Sequence, residues 1–189
     1  MSSEASLAVH ARLNSSRANG PGRRAVLWVQ GCSLACPGCY NPETHTSADA
    51  AQSISSLLDW LAGLGDSVEG LSVSGGEPLE QPEGLLSLLS GVRSQLPELS
   101  ILVFSGFSIR EIRQRARGTE LLALIDVLID GRYVNKLHRG SSLRGSENQR
   151  IHCLTDRYTE ADVAATPATE VSIGPDGVLT LTGVSPLDI

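Results

Sequence analysis

The sequence predicts an α/β protein built from parallel βαβ units, with helices outside and ligand-binding loops at the carboxyl ends of the strands. Two observations carry this. Short apolar, β-branched runs alternate with amphipathic stretches along most of the chain, the rhythm of parallel strands joined by crossover helices. The chemically unusual segments also fall just after the apolar runs, where open α/β sheets bind their ligands. With 189 residues, the chain is long enough for one domain burying roughly 70% of its unfolded surface.

Taken in order, Ala25–Gln30 is an apolar run bounded by Gly22 and Gly31, as a buried strand requires. Ile54, Leu57, Leu58 and Leu61 stand at helical spacing within Ser47–Leu64, and Gly63 and Gly65 end that helix. Leu71–Ser74 is the second strand and runs into Gly75, Gly76, Glu77 and Pro78. A helix over Glu83–Leu96, a strand at Ile101–Phe104, a helix over Ile109–Leu124 and a strand at Val127–Ile129 continue the pattern. Tyr133–Arg150, rich in Gly, Ser, Asn and Arg, reads as a long loop over one face. Thr155–Thr169 reads as a mobile connector. Val171 and Ile173, then Gly174 to Gly177, then Leu179 and Leu181 predict a C-terminal hairpin. Residues 1–154 are expected to form the core domain, and 155–189 an extension packed on the same compact domain.

Composition narrows the function. The net charge is -6 and the pI near 5.2, which argues against nucleic acid as the main ligand. A basic cluster at Arg110, Arg113, Arg115 and Arg117 could still touch an acidic partner. Hydrophobic residues make up 41% of the chain, slightly below the typical 45–50% or so, yet enough for a core. There is no membrane-spanning apolar run and no leader-like N-terminus, so the expected location is the cytoplasm, with no membrane association. Thiols stay reduced there, so clustered cysteines point to metal or redox chemistry rather than disulfides.

Three of the four cysteines, Cys32, Cys36 and Cys39, form C-x3-C-x2-C directly after the first strand. Three thiolates in one loop can hold three irons of a cubic four-iron cluster and leave the fourth open to a ligand. Two other arrangements compete on spacing alone. Cys36 and Cys39 with His45 could contribute to a zinc site, and Cys36 with Cys39 could form a thioredoxin-like pair, which leaves Cys32 unexplained. The Gly75-Gly76-Glu77-Pro78 turn about 36 residues later favours the cluster. Adjacent glycines let a backbone approach a ligand, and the Glu77 carboxylate can accept from an ammonium group. Cys153 stands alone between Ile151 and Leu154 in an apolar strand context and reads as a packing residue. Hydrolase and dinucleotide-binding motifs are incomplete: position 74 is Ser where a nucleophile elbow needs Gly, and Asn19 to Gly22 has neither the third glycine nor a preceding strand.

With these motifs the sequence resembles the radical S-adenosylmethionine superfamily, and within it the anaerobic ribonucleotide reductase activating proteins. The resemblance runs from about Asn19 to Leu154. It includes Asn19 to Arg23, Gly31 to Asn41, Leu71 to Pro78, Phe104 to Phe107, Ile129 to Arg132 and Arg144 to Gln149. It implies an open partial (β/α)6-type barrel and a radical oxidoreductase. Cys32, Cys36 and Cys39 would ligate a [4Fe-4S] cluster whose open iron is chelated by S-adenosylmethionine. Tyr40 would lie by the adenine, and Gly75, Gly76 and Glu77 by the methionine ammonium. Ser105 and Asp130 would make ribose or nearby polar contacts, and Arg132 would meet the methionine carboxylate. An electron from flavodoxin or ferredoxin would cleave the sulfonium, and the resulting 5'-deoxyadenosyl radical would abstract hydrogen from a glycine of a partner enzyme. The resemblance leaves open a small-metabolite or peptide substrate, and a non-catalytic zinc or iron-sulfur module is the reading from another class. Glu77 stands where that family often carries Asp, a change that keeps the carboxylate.

Overall fold

A computed structural model describes residues 5–47, 51–174 and 177–184. The strands are β1 (Ser6–Ser16), β2 (Arg24–Val29), β3 (Ala51–Ser53), β4 (Gly70–Gly75), β5 (Ser100–Ser105), β6 (Val127–Asp130), β7 (His138–Ser141), β8 (Arg144–Ser146), β9 (Arg150–Cys153), β10 (Thr169–Ile173) and β11 (Leu179–Gly183). The helices are α1 (Ile54–Leu64), α2 (Pro82–Gln95), α3 (Ile109–Gln114), α4 (Gly118–Leu122) and α5 (Glu160–Ala164). Seven strands make one mixed sheet in the order β3-β1-β2-β4-β5-β6-β9, and β7-β8 and β10-β11 are separate two-stranded sheets.

The four central strands β2, β4, β5 and β6 are parallel and stand side by side in chain order. Right-handed crossovers between strands added always on the same side put every connecting helix on one face of the sheet. Strand alternation then divides the residues between two faces. Ala25, Leu27 and Val29, Leu71 and Val73, and Ile101 and Val103 pack against Leu57 and Leu61 of α1, Leu85, Leu88 and Leu89 of α2, Ile112 of α3 and Leu121 of α4. On the other face Leu102, Val127 and Ile129 pack with Leu143 and Val163, and with the half-buried Cys153. That packing role for Cys153 agrees with its apolar strand context.

Several expected boundaries shift for local reasons. The helix expected over Ser47–Leu64 starts at Ile54, where the Ser53 hydroxyl accepts from the Ser56 amide as an N-cap. Residues 51–53 pair with β1 instead, and residues 48–50 lie outside the described set. The helix expected over Ile109–Leu124 is broken into α3 and α4. Arg115 is extended and Arg117 left-handed, and a Cβ at Gly118 would collide with the Ile112 carbonyl, so the break depends on glycine there.

Tyr133–Arg150 is not a structureless loop, because it holds the β7-β8 hairpin. The hairpin returns the chain without a crossover helix, so β9 pairs antiparallel with β6. Thr155–Thr169 is not a bare connector either. It contains α5, opened by a reciprocal capping box between Thr159 and Asp162. The C-terminal hairpin forms as expected, in the register Thr169 to Gly183 and Ile173 to Leu179; its turn residues Pro175 and Asp176 lie outside the described set. The eleven-residue β1 had no counterpart in the expected elements, although Leu7, Val9, Ala11 and Leu13 alternate as a strand should.

Beneath the face opposite the helices, at the amino ends of the parallel strands, Arg24 is fully buried. Its Nε donates to Ser72 Oγ at 2.7 Å, Nη1 to Ser100 Oγ at 2.8 Å and to the Pro21 carbonyl at 3.2 Å, and Nη2 to the carbonyls of Leu71 at 2.8 Å and Ser100 at 3.0 Å. Burial pulls its pKa below the ordinary arginine value, and hydrogen bonds to neutral oxygens take the place of water around the cation. One side chain thereby ties β2, β4, β5 and the Asn19–Gly22 turn together. Replacement by an apolar chain of similar length, Arg24→Met, strands those buried acceptors. We expect it to lower stability by about 3 kcal/mol or more, measured as a fall in the urea midpoint at unchanged m-value.

Candidate iron-sulfur and ligand site

The carboxyl ends of the four parallel strands are brought level by their register, in which Val29 faces Gly75 and Ser105 faces Asp130. The cysteine loop leaves β2 at Gly31 and is held by its backbone. The Gly31 amide donates to the Thr44 carbonyl at 2.8 Å, Cys32 to His45 at 3.3 Å, and Cys39 to Cys36 at 3.1 Å. The glycine turn after β4 is joined to the same loop. Gly76 donates to the Val29 carbonyl at 2.8 Å and Glu77 to the Gly31 carbonyl at 2.9 Å. A Cβ on Gly76 would run into that Gly31 carbonyl, so only glycine allows the two loops to meet this closely.

Cys32, Cys36 and Cys39 are half-buried free thiols lining one cavity of about 320 Å³, whose floor includes Gly75, Gly76 and Ser105. Burial pushes the Cys32 and Cys39 thiols above their ordinary pKa. The backbone amides of Leu34 and Ala35 at Cys32, and of Asn41 at Cys39, oppose that shift. Those amides favour the thiolate, the form that binds metal. Among the described residues, no three His, Cys, Asp or Glu side chains are grouped as a single metal ion requires. Three thiols of one loop that line one cavity fit the donor set of a polynuclear cluster, in which each metal takes its own thiolate.

Glu77 is 1% exposed, and both its oxygens are engaged within the chain. Oε1 accepts from the Leu79 amide and from Ser105 Oγ, each at 2.9 Å, and Oε2 accepts from the Gly106 amide at 2.7 Å. Its carboxylate thus ties the turn after β4 to the loop after β5. Ser105 works in the same lock, since its hydroxyl also accepts from the Phe107 amide at 3.0 Å. Gly75, Gly76, Glu77 and Ser105 all line the cavity. Asp130 and Arg132 do not line it. Asp130 is buried, accepts from the Ile109 amide at 2.6 Å and lies 3.2 Å from His152 Nε2. Arg132 is exposed and donates to Glu111 at 3.1 Å on the outside of α3.

Tyr40 also lines the cavity. Its hydroxyl is 2.7 Å from His138 Nδ1, and its ring centroid is 5.2 Å from that of Tyr133. Burial, together with the Tyr133 hydrogen bond, raises its phenol pKa. This aromatic group joins the cysteine loop to the β7-β8 hairpin, which adds Leu143 and Gly145 to the lining, and Gln149 follows from the segment after β8. Other lining residues had not been anticipated as site residues. Trp28, Ser74 and Phe104 are legible in hindsight, because they alternate with the helix-facing residues of β2, β4 and β5. Asn19, from the Asn19–Arg23 motif, also lines the cavity, as do Leu181–Val184, which no local pattern marks.

Burial drives the Glu77 carboxyl up to about 7, against 4.5 for an ordinary glutamate. Between those values the folded chain holds a proton that the unfolded chain has lost, so stability falls as pH rises from about 4.5 to about 7. In the cofactor-free protein, Glu77→Gln removes this titration. The difference between urea midpoints at about pH 5 and about pH 7.5 is expected to shrink relative to the wild type.

Comparison with known proteins agrees with this site. Residues 18–152 match the family described as a 4Fe-4S single cluster domain. The anaerobic ribonucleoside-triphosphate reductase-activating protein of Enterobacteria phage T4 is 37% identical over 148 residues, covering 76% of this chain and 92% of that protein. The protein of the same name from Escherichia coli (strain K12) is 37% identical over 147 residues, covering 72% and 92%. The one from Vibrio cholerae serotype O1 is 35% identical over 144 residues, with the same two coverages. A three-thiol cavity stitched to a glycine turn, in a chain related to these proteins over nearly their whole length, places it in a family: the chain belongs to the anaerobic ribonucleoside-triphosphate reductase-activating proteins, built on a 4Fe-4S single cluster domain.

Proposed function

We propose that this chain is a radical S-adenosylmethionine enzyme that installs a glycyl radical on an anaerobic ribonucleotide reductase. The observation that carries the proposal is the shared cavity. The three thiols and the Gly75-Gly76-Glu77 turn face one space and are sewn together through Gly31, in a chain whose relatives are named as activating proteins of that reductase. When bound, a [4Fe-4S] cluster supplies the electron that splits S-adenosylmethionine into methionine and a 5'-deoxyadenosyl radical able to take hydrogen from the substrate.

The chain's own residues hold, orient and enclose. Cys32, Cys36 and Cys39 would each give one thiolate, with loop amides favouring the anionic form at Cys32 and Cys39. The bare backbone of Gly75 and Gly76 allows an amino-acid-like group close approach. Glu77 fixes the position of that backbone through its bonds to Leu79, Ser105 and Gly106, and its own reach to an ammonium group would be over its cavity-lining edge. Tyr40 and Trp28 offer aromatic surface to a purine. For Asp130 and Arg132 to make the ribose and carboxylate contacts of the resembling family, Asp130 must leave the α3 amide and Arg132 must leave Glu111.

The chain-order arrangement of the four parallel strands, with the helices that connect them on one face, supports an open partial (β/α)6-type barrel. Under this reading 1–154 is the core domain and 155–189 an extension of it, whose Glu170 and Thr182 bond to Ser16, Arg17 and Asn19. The protein substrate is the reductase, which can close the open side. The electron donor is a flavodoxin or ferredoxin, and the setting is the cytoplasm; among the described residues, no helix is long and apolar enough to cross a membrane.

Anaerobic reconstitution with iron and sulfide, followed by reduction with S-adenosylmethionine, is expected to yield 5'-deoxyadenosine and methionine. With the cognate reductase it should also yield a glycyl radical visible by electron paramagnetic resonance. Cys36→Ala should abolish cluster and products together, while Gly76→Ala should reduce turnover by about tenfold or more through displacement of the turn. An intact cluster that releases no 5'-deoxyadenosine sinks the proposal.

A further inference from the structure

We infer that the C-terminal β10-β11 hairpin is a wall of the cysteine cavity and sets the size of what can enter it. Leu181, Thr182, Gly183 and Val184 line the same space as Cys32, Cys36 and Cys39. The hairpin lies beyond residues 18–152, the part of the chain that matches the iron-sulfur family. The family match therefore does not account for this wall.

Two side-chain latches hold the hairpin in place across more than 150 residues of sequence. Glu170 Oε2 accepts from Ser16 Oγ at 2.6 Å and from the Arg17 amide at 2.7 Å. Asn19 Nδ2 donates to Thr182 Oγ1 at 2.7 Å and to Ser16 Oγ at 2.9 Å. Asn19 is 7% exposed, so both its donor hydrogens are spent in a nearly dry position. Losing the Thr182 partner would leave one of them unsatisfied. The Val184 amide closes the base of the hairpin on the Ala168 carbonyl at 2.8 Å.

Tyr40, Tyr133, and Leu143 and Gly145 of the β7-β8 hairpin line the same cavity, so two hairpins contribute to its boundary. The wall selects a slender, extended segment of a protein substrate over a bulky one. That consequence rests on the proposed reaction; the wall itself does not.

The test uses the full chain, free of cofactor and under anaerobic conditions. Cysteine alkylation is resolved residue by residue with N-ethylmaleimide and with a polyethylene-glycol maleimide. The quantity read is the ratio of bulky to small reagent rates at Cys32, Cys36 and Cys39, with Cys153, outside the cavity, as internal control. In Asn19→Ala/Glu170→Ala the ratio should rise about tenfold at the three loop cysteines and stay constant at Cys153. Thr182→Val, which keeps the shape of the wall, should move it the same way by less. Val184→Trp should lower it, and decides the matter should the double variant fail to fold.

A ratio unchanged across these variants, or one that rises equally at Cys153, overturns the inference. In reconstituted enzyme the latch variants should also release more 5'-deoxyadenosine per glycyl radical formed. A wild type that releases none would defeat the proposed reaction and leave the labelling result standing.

Discussion

The site depends on one buried carboxylate. Glu77 has three donors on its two oxygens, from the turn that follows it and from the loop after β5, while its own amide is bound to Gly31, the residue before Cys32. Three chain segments that are distant in sequence therefore share one anchoring group. A buried carboxylate is costly unless its lone pairs are satisfied, and here satisfying them requires the loops to be in place. The same bonds that favour the charged form compete with burial, which pushes the proton back on. The arrangement trades charge stability for a fixed geometry around the cavity.

At the other end of the parallel strands Arg24 has the complementary role. Its guanidinium is buried among neutral oxygens rather than paired with a carboxylate, so its donors all act as struts between backbone and hydroxyl groups of β2, β4 and β5. Two buried ionisable groups, one beneath the sheet and one at its ligand end, tie the strands together where hydrophobic packing alone would tolerate small slips. Hydrophobic burial on the helix-bearing face supplies the driving force, and the polar groups specify the register.

The cavity itself is composite. Strand ends and the cysteine loop make its floor, the Tyr40, Tyr133 and His138 group with β7-β8 makes one side, and β10-β11 makes another. A short chain can in this way enclose most of a ligand while leaving an entrance for a larger partner. The rigid parts are those with buried, fully satisfied hydrogen bonds. The two hairpins hang on fewer contacts, and Ile173 and Leu179 on the C-terminal one are well exposed.

The strand and helix alternation, the three-cysteine loop and the glycine turn were legible in the sequence because each is encoded locally: periodicity marks the elements, and spacing marks the chemistry. Glycine-dependent breaks such as the one at Gly118 were not, because the collision that demands glycine involves a carbonyl six residues away and in another helix. Asp130 and Arg132 were placed correctly at a strand end, yet the partners that hold them outside the cavity, Ile109 and Glu111, belong to α3. The sequence by itself determined the spacing of the three cysteines and the alternation of strands with helices, since both follow from contiguous residues. Only the tertiary structure decided that Glu77 turns inward as a lock and that Leu181–Val184 line the cavity of the cysteines, because those outcomes rest on hydrogen bonds between segments about 30 to 160 residues apart, for which no local pattern exists.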